Sequence, residues 1–299
     1  MALNTKTIRR RIKSVGSTKK ITKAMEMISA VKMRRAVGNV LATRNYATRA
    51  WQMLVDVAAK TNVNLHPLLK KRPVEKIALI LIASNRGLAG GFNSRVLMEA
   101  NNFLKKFESE SKNIDIFING KKAKKIYHQF GYNIAAEFEK KDLTLNITEI
   151  YPISKMIIND YKNNKYDAVY LCYTDYISAV KQISKTHKLL PIEQNTDSSL
   201  GNIGENEQTA FVARETEFLF EPNPIMVLDS LLPKLIEMQI YQAALESDAS
   251  EHSARMMAMR NASDAAEEMI NELNYNFNKA RQAAITQEIS EIVSGAAAL

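Results

Sequence analysis

The sequence predicts an α/β domain inserted between the halves of a long two-helix rod. Three observations predict it. Both ends of the 299-residue chain are long stretches of helix-forming residues with almost no glycine or proline. The middle alternates short apolar runs with helical stretches, the pattern of a parallel-type sheet covered by helices. The two ends also carry opposite charge, which favours their pairing.

In the first helix no proline precedes Pro67, and Gly16 and Gly38 are the only glycines before Gly87. Apolar positions at Ile8, Ile12 and Val15, then Ile21, Met25 and Ile28, then Met33, Ala36, Val37, Val40 and Leu41 keep a three-four spacing with phase slips. Trp51, Leu54, Val55 and Ala58 continue it. At 1.5 Å per residue such a helix runs roughly 85 Å. Residues 1–55 hold 13 Lys or Arg against one acid, Glu26, a net +12. The basic, acid-poor start loosely resembles a transit peptide, but Arg9, Arg10 and Arg11 lead without a break into the helical pattern, so it reads as mature protein.

Short apolar runs rich in branched residues follow: KIALILIA (76–83), IDIFI (114–118) and DAVYLCY (167–173). They read as buried strands. Helices are expected between them, at 93–108, 120–130 and 148–164. The single cysteine, Cys172, lies in the third run and reads as a packing residue. It leaves no internal disulfide and fits a reducing compartment. Segment 194–209 is polar and reads as a mobile loop, and FVARETEFLFEPNP (211–224) as a late strand ending at Pro222.

The last helix carries its stripe through Leu235, Met238, Tyr241 and Leu245, later Met269, Leu273, Phe277, Ala280 and Ala284. Neither Gly nor Pro interrupts 234–294, and Gly295 stands where a helix-ending residue belongs. Residues 234–299 hold five Lys or Arg against ten acids, a net −5. Helical patterns of this length suggest a coiled coil, and the two ends pairing with each other supplies it. Lys32 and Arg35 fall where the seam wants apolar groups. The pair is therefore expected to draw part of its stability from something around it.

The first apolar run leads into SNRGLAGGFN (84–93), with Arg86 beside Gly87, Gly90 and Gly91. The position after a strand and before a helix suits a phosphate loop. The spacing does not: it is neither G-x-G-x-x-G nor a Walker motif. A sharp turn is the simpler use of such glycines. His66, His128, His187 and His252 show no short metal-ligand spacing. Glu267 and Glu268 lie on the polar side of a helix, and no cofactor is expected. No run of about 18 apolar residues suggests a membrane span.

Four blocks together, IRRRIKSVGSTKKITKAMEMISAVKMRRA (8–36), SNRGLAGGFN, FLFEPNP (218–224) and NKARQAAITQEISEIVSGAAAL (278–299), closely resemble the γ subunits of F-type ATP synthases. The glycine block is similar to the family's Ser-Asp-Arg-Gly-Leu-Cys-Gly-Gly element, departing from it at Asn85 and Ala89.

The resemblance implies a Rossmann-like α/β foot domain at 73–222, between a shaft helix at 1–60 and another at 224–299 that form an antiparallel coiled coil. It implies a non-catalytic rotary shaft that couples c-ring rotation to conformational change in the catalytic β subunits and regulates ATPase activity. The implied partners are three α and three β subunits, the ε subunit and the c ring, at the cytoplasmic face of a bacterial inner membrane, with membrane contact only through the c ring. Lys23 and Met25 match positions near the β-subunit lever. Arg281, Gln282, Thr286 and Glu288 match a catch for a β-subunit loop. Arg255 and Arg260 match the facing helix, and Phe218, Phe220 and Glu221 the contact region for the c ring and ε. Arg86, Gly87, Gly90 and Gly91 become a structural loop. The rival from another class is a nucleic-acid-binding protein with a basic helix, against which the complementary acidic end competes.

Overall fold

A computed structural model of the chain describes residues 5–60, 66–108, 113–192 and 224–297. The elements are helix α1 (Thr5–Lys60), strand β1 (Lys76–Ile82), α2 (Phe92–Glu108), β2 (Asn113–Asn119), α3 (Lys121–Gln129), β3 (Asn133–Phe138), α4 (Tyr151–Lys162), β4 (Ala168–Tyr176), β5 (Gln182–Leu190) and α5 (Pro224–Ala297). They fall into two compact units, one gathering Met1–Ser29 and Arg255–Leu299, the other Ala30–Ala254.

The larger unit is built on a five-stranded sheet in the order β3-β2-β1-β4-β5. β1, β2, β3 and β4 are parallel, and β5 returns antiparallel to β4. Alternation along β1 explains why its sequence is apolar without a break. Ala78, Ile80 and Ile82 pack into one core with Ile153, Ile157 and Tyr161 of α4 and with α5 residues from Leu228 to Leu245. Leu79, Leu81 and Ala83 pack into another with Val96, Ala100 and Leu104 of α2 and Ala123 and Tyr127 of α3. A strand covered on both faces has no position for a polar side chain. Cys172 faces the second core, and burial pushes its thiol up to about 12.

The sequence reading found the three central strands and missed β3 and β5. Both are edge strands. β3 alternates exposed and half-buried residues, and β5 carries Lys185, His187 and Lys188 among its apolar ones. Polar edges protect a sheet from further pairing and lack the apolar signature of a buried strand. The expected helix at 148–164 is shorter: a 3-10 turn at Ile147–Glu149 precedes α4.

Helix α5 departs from one expectation, at its end. It takes in Pro233 near its start, and it runs past Gly295 to Ala297. Space around Gly295 is open, and the alanines after it are the best helix formers, so nothing there ends the helix. The expected late strand at 211–224 and loop at 194–209 lie outside the described residues.

In the smaller unit the two helical stretches touch at named points. Thr22 Oγ1 and Ser263 Oγ are 2.7 Å apart and buried. Lys19 Nζ meets Glu267 Oε1 at 3.0 Å. Ile8, Ser29, Met259 and Ala266 are buried, whereas Ile21, Met27, Ile28, Met269 and Tyr275 are exposed.

Candidate functional site

In a doubly wound sheet, ligands bind beyond the carboxyl ends of the strands, where the strand order reverses. Here the reversal lies between β1 and β4, and the glycine loop leaves β1 at that place. Ser84 finds its partners within the loop and at the start of α2. Ser84 N and Oγ donate to Asn93 Oδ1 at 3.1 and 2.9 Å, and Ser84 Oγ also lies 2.7 Å from the Arg86 carbonyl. Gly90 takes a left-handed φ of 53° and Leu88 one of 62°. A Cβ at Gly87 would come no nearer to a neighbour than the Lys122 side chain at 3.8 Å, and one at Gly91 would meet nothing within 4 Å. Arg86, Gly90 and Gly91 are exposed.

Gly120, which the sequence reading did not single out, is under the strongest constraint. Its φ is +123°, and a Cβ there would lie 2.3 Å from the Ala83 carbonyl oxygen. No other residue type fits that approach.

Helix α5 fills the reversal point itself. Ala254 packs with Ala89 and Phe92 of the glycine loop. Ala249 packs with Tyr176 at the end of β4 and Ala36 of α1. Ser250 Oγ donates to the Thr174 carbonyl at 3.2 Å, and Ser253 Oγ to that of Ala179 at 2.6 Å. The place where a nucleotide would lie holds the protein's own helix.

This stretch of α5, residues 240–254, is buried without a break, yet it contains Gln242, Glu246, Ser247, Asp248, Ser250, Glu251, His252 and Ser253. A helix buried all round is ordinarily apolar all round. Three of these side chains, Asp248, Glu251 and His252, are met by the segment after β3. Lys140 Nζ lies 2.7 Å from Glu251 Oε2 and 3.0 Å from Asp248 Oδ1, all three side chains less than a tenth exposed. Burial alone would lower the Lys140 pKa; the Glu251 and Asp248 carboxylates outweigh it and hold the ammonium above its usual range. Asp248 Oδ2 accepts from Thr144 N at 2.7 Å. Asp142 pairs with Lys32 of α1, whose hydrogen bond holds its carboxyl below the ordinary range. Deeper in, burial and then the neighbouring Asp175 push Glu246 well above the glutamate range. The sequence reading did not single out this region, and the run ESDASEHS (246–253) inside a helix expected to pack is the signal that could have found it.

The other predicted positions lie along the helices. Lys23 is exposed and pairs with Glu26 at 3.0 Å, and Met25 is half-buried. Arg255 is buried and Arg260 exposed. Arg281, Gln282, Thr286 and Glu288 share the exposed last turns of α5, where Thr286 Oγ1 donates to the Gln282 carbonyl at 2.9 Å. Phe218, Phe220 and Glu221 lie outside the described residues. Among the described residues no group of three or more His, Cys, Asp or Glu is placed to hold a metal.

A family model described as ATP synthase matches residues 4–299. The ATP synthase gamma chain of Herpetosiphon aurantiacus is 43% identical over 300 residues, covering 98% of this chain and 97% of that one. That of Pelotomaculum thermopropionicum is 42% identical over 292 residues, covering 98% of each. Among solved structures, a chain from the rotor of the Euglena gracilis mitochondrial ATP synthase, in rotational state 1, shares the fold at a TM-score of 0.60. The match covers 94% of this chain and 98% of that chain at 18% identity.

Proposed function

The chain belongs to the ATP synthase gamma-chain family, and from that premise we propose that it is the central rotary shaft of a proton-translocating F-type ATP synthase. It is a non-catalytic subunit that couples rotation of the c ring to conformational change in three β subunits alternating with three α subunits. The foot, residues 73–222, meets the c ring and the ε subunit; Phe218, Phe220 and Glu221 belong to that contact. The helices of 1–60 and 224–299 form an antiparallel coiled coil. Its support is the pair of contacts Lys19–Glu267 and Thr22–Ser263, in which one number rises as the other falls. Lys23 and Met25 face the β lever; Arg281, Gln282, Thr286 and Glu288 form the catch, with Arg255 and Arg260 on the facing helix. Arg86, Gly87, Gly90 and Gly91 serve as scaffold.

The observation that carries this reading is α5 itself. It fills the reversal point of the sheet and belongs to both compact units. A continuous helix shared in this way serves to pass on rotation, and it leaves no room there for a substrate. No helix among the described residues is long and apolar enough to cross a membrane, which fits contact through the c ring alone. The two gamma chains named above are bacterial, which favours the cytoplasmic face of the inner membrane.

The test is co-purification of the full chain with α and β subunits, followed by ATP hydrolysis. A stable complex whose hydrolysis depends on this chain is expected. A chain that stays alone and shifts DNA at physiological salt would replace the shaft reading with that of a basic-helix nucleic-acid binder.

A further inference from the structure

We propose that the segment 140–145 and the buried charges it brings to α5 form a rotational key, with Lys140 as its pin, that stops the helix turning within the sheet unit. This rests on the shaft reading above and names the residues through which torque passes.

The segment lies along the helix in the opposite direction. Lys140 meets Asp248 and Glu251, the Asp142 carbonyl meets His252 Nε2 at 2.9 Å, Thr144 meets Asp248, and the Leu145 carbonyl meets Tyr241 Oη at 3.1 Å. From 241 to 252 a helix advances about 16 Å, and five extended residues span about the same. The segment is itself tied down at both flanks. Lys32 of α1 holds Asp142, and Asn85 of the glycine loop donates to the Lys140 carbonyl.

A second stripe of α5, at 242, 246, 249 and 253, meets other elements. Thr43 of α1 donates to Gln242 at 2.7 Å, Ala249 packs on Tyr176 and Ala36, and Ser253 donates to the Ala179 carbonyl. The helix is therefore held at fixed directions on more than one side. Apolar contact resists burial loss but not slip, because it is non-directional. Hydrogen bonds and ion pairs have preferred angles, so turning the helix breaks them while much of the apolar packing persists. This explains why a fully buried stretch keeps so many polar groups, which apolar residues of similar volume would replace with little loss of stability.

The experiment uses the assembled membrane complex in inverted vesicles and reads protons pumped per ATP hydrolysed. Lys140→Met/Asp248→Asn/Glu251→Gln removes the charges together, avoiding an unpaired buried ion. ATP hydrolysis is expected to stay at the parent's level while the pumping ratio falls about tenfold, the factor that one charge-assisted hydrogen bond is worth in holding off a slipped state. Lys140→Arg, which keeps the charge, should pump like the parent. An unchanged ratio in the triple variant overturns the proposal. So does loss of assembly in both variants, which assigns the cluster to folding. If the parent complex itself neither assembles nor pumps, the shaft reading has failed instead.

Discussion

Glu246 is 1% exposed and lies among Gln242 of its own helix, Asp175 of β4 and Lys185 of β5. Burial and Asp175 raise its pKa, so the folded chain holds a proton that the unfolded chain releases. Stability from this group is complete below the ordinary glutamate range and is lost as pH rises towards the folded value. The slope is at most about 1.4 kcal/mol per pH unit. Glu246→Gln has no such proton to lose. Its melting temperature should match the parent's below about pH 4 and exceed it increasingly at higher pH; a pH-independent difference would refute this. Little of this chemistry was legible in the sequence. Carboxylates on a helix are ordinarily solvated, and only the position of 140–145 and β4 around α5 makes these ones internal. The chemistry of the helix tip was legible only through family resemblance, since Arg281 and Gln282 have no feature of their own that marks them.

At the scale of elements, the sequence marks what is buried on both sides. β1, β2 and β4 stand out because each is covered by helices, whereas β3 and β5 border the sheet and take the composition of a surface. Helix α1 carries its two glycines in the open: a Cβ at Gly16 or Gly38 would meet nothing within 4 Å. Their helical backbone needs no glycine, so Gly38→Ala and Gly16→Ala should each stabilise the full chain by about 0.5–1 kcal/mol. Thermal unfolding of each variant measures it. A drop in stability would mean that α1 needs a looser backbone at that turn.

For the whole molecule, the charge asymmetry between the ends finds one concrete expression in the Lys19–Glu267 pair, although exposed pairs of this kind contribute only about 0–1 kcal/mol. The larger message lies in what stays uncovered. Ile285, Ile289, Ile292 and Val293 are all about half exposed or more, in a helix whose middle stretch, 240–254, is wholly buried. An apolar helical end of this kind calls for a surrounding assembly. Arg281→Ala with Gln282→Ala should therefore leave the full chain's own melting unchanged within about 0.5 kcal/mol, and should lower ATP hydrolysis by the assembled complex. Unchanged turnover would count against a catch at these residues.

The order of synthesis gives α5 a further consequence. One face of the sheet finds much of its cover in residues 228–245, near the end of the chain. A ribosome that has released β1 to β5 presents a sheet with that face covered only in part, by α4, and native closure waits for the last quarter of the polypeptide. During that interval the nascent chain is a substrate for chaperones and for aggregation. A truncation that stops before α5 is expected to leave an insoluble remnant rather than a smaller working domain.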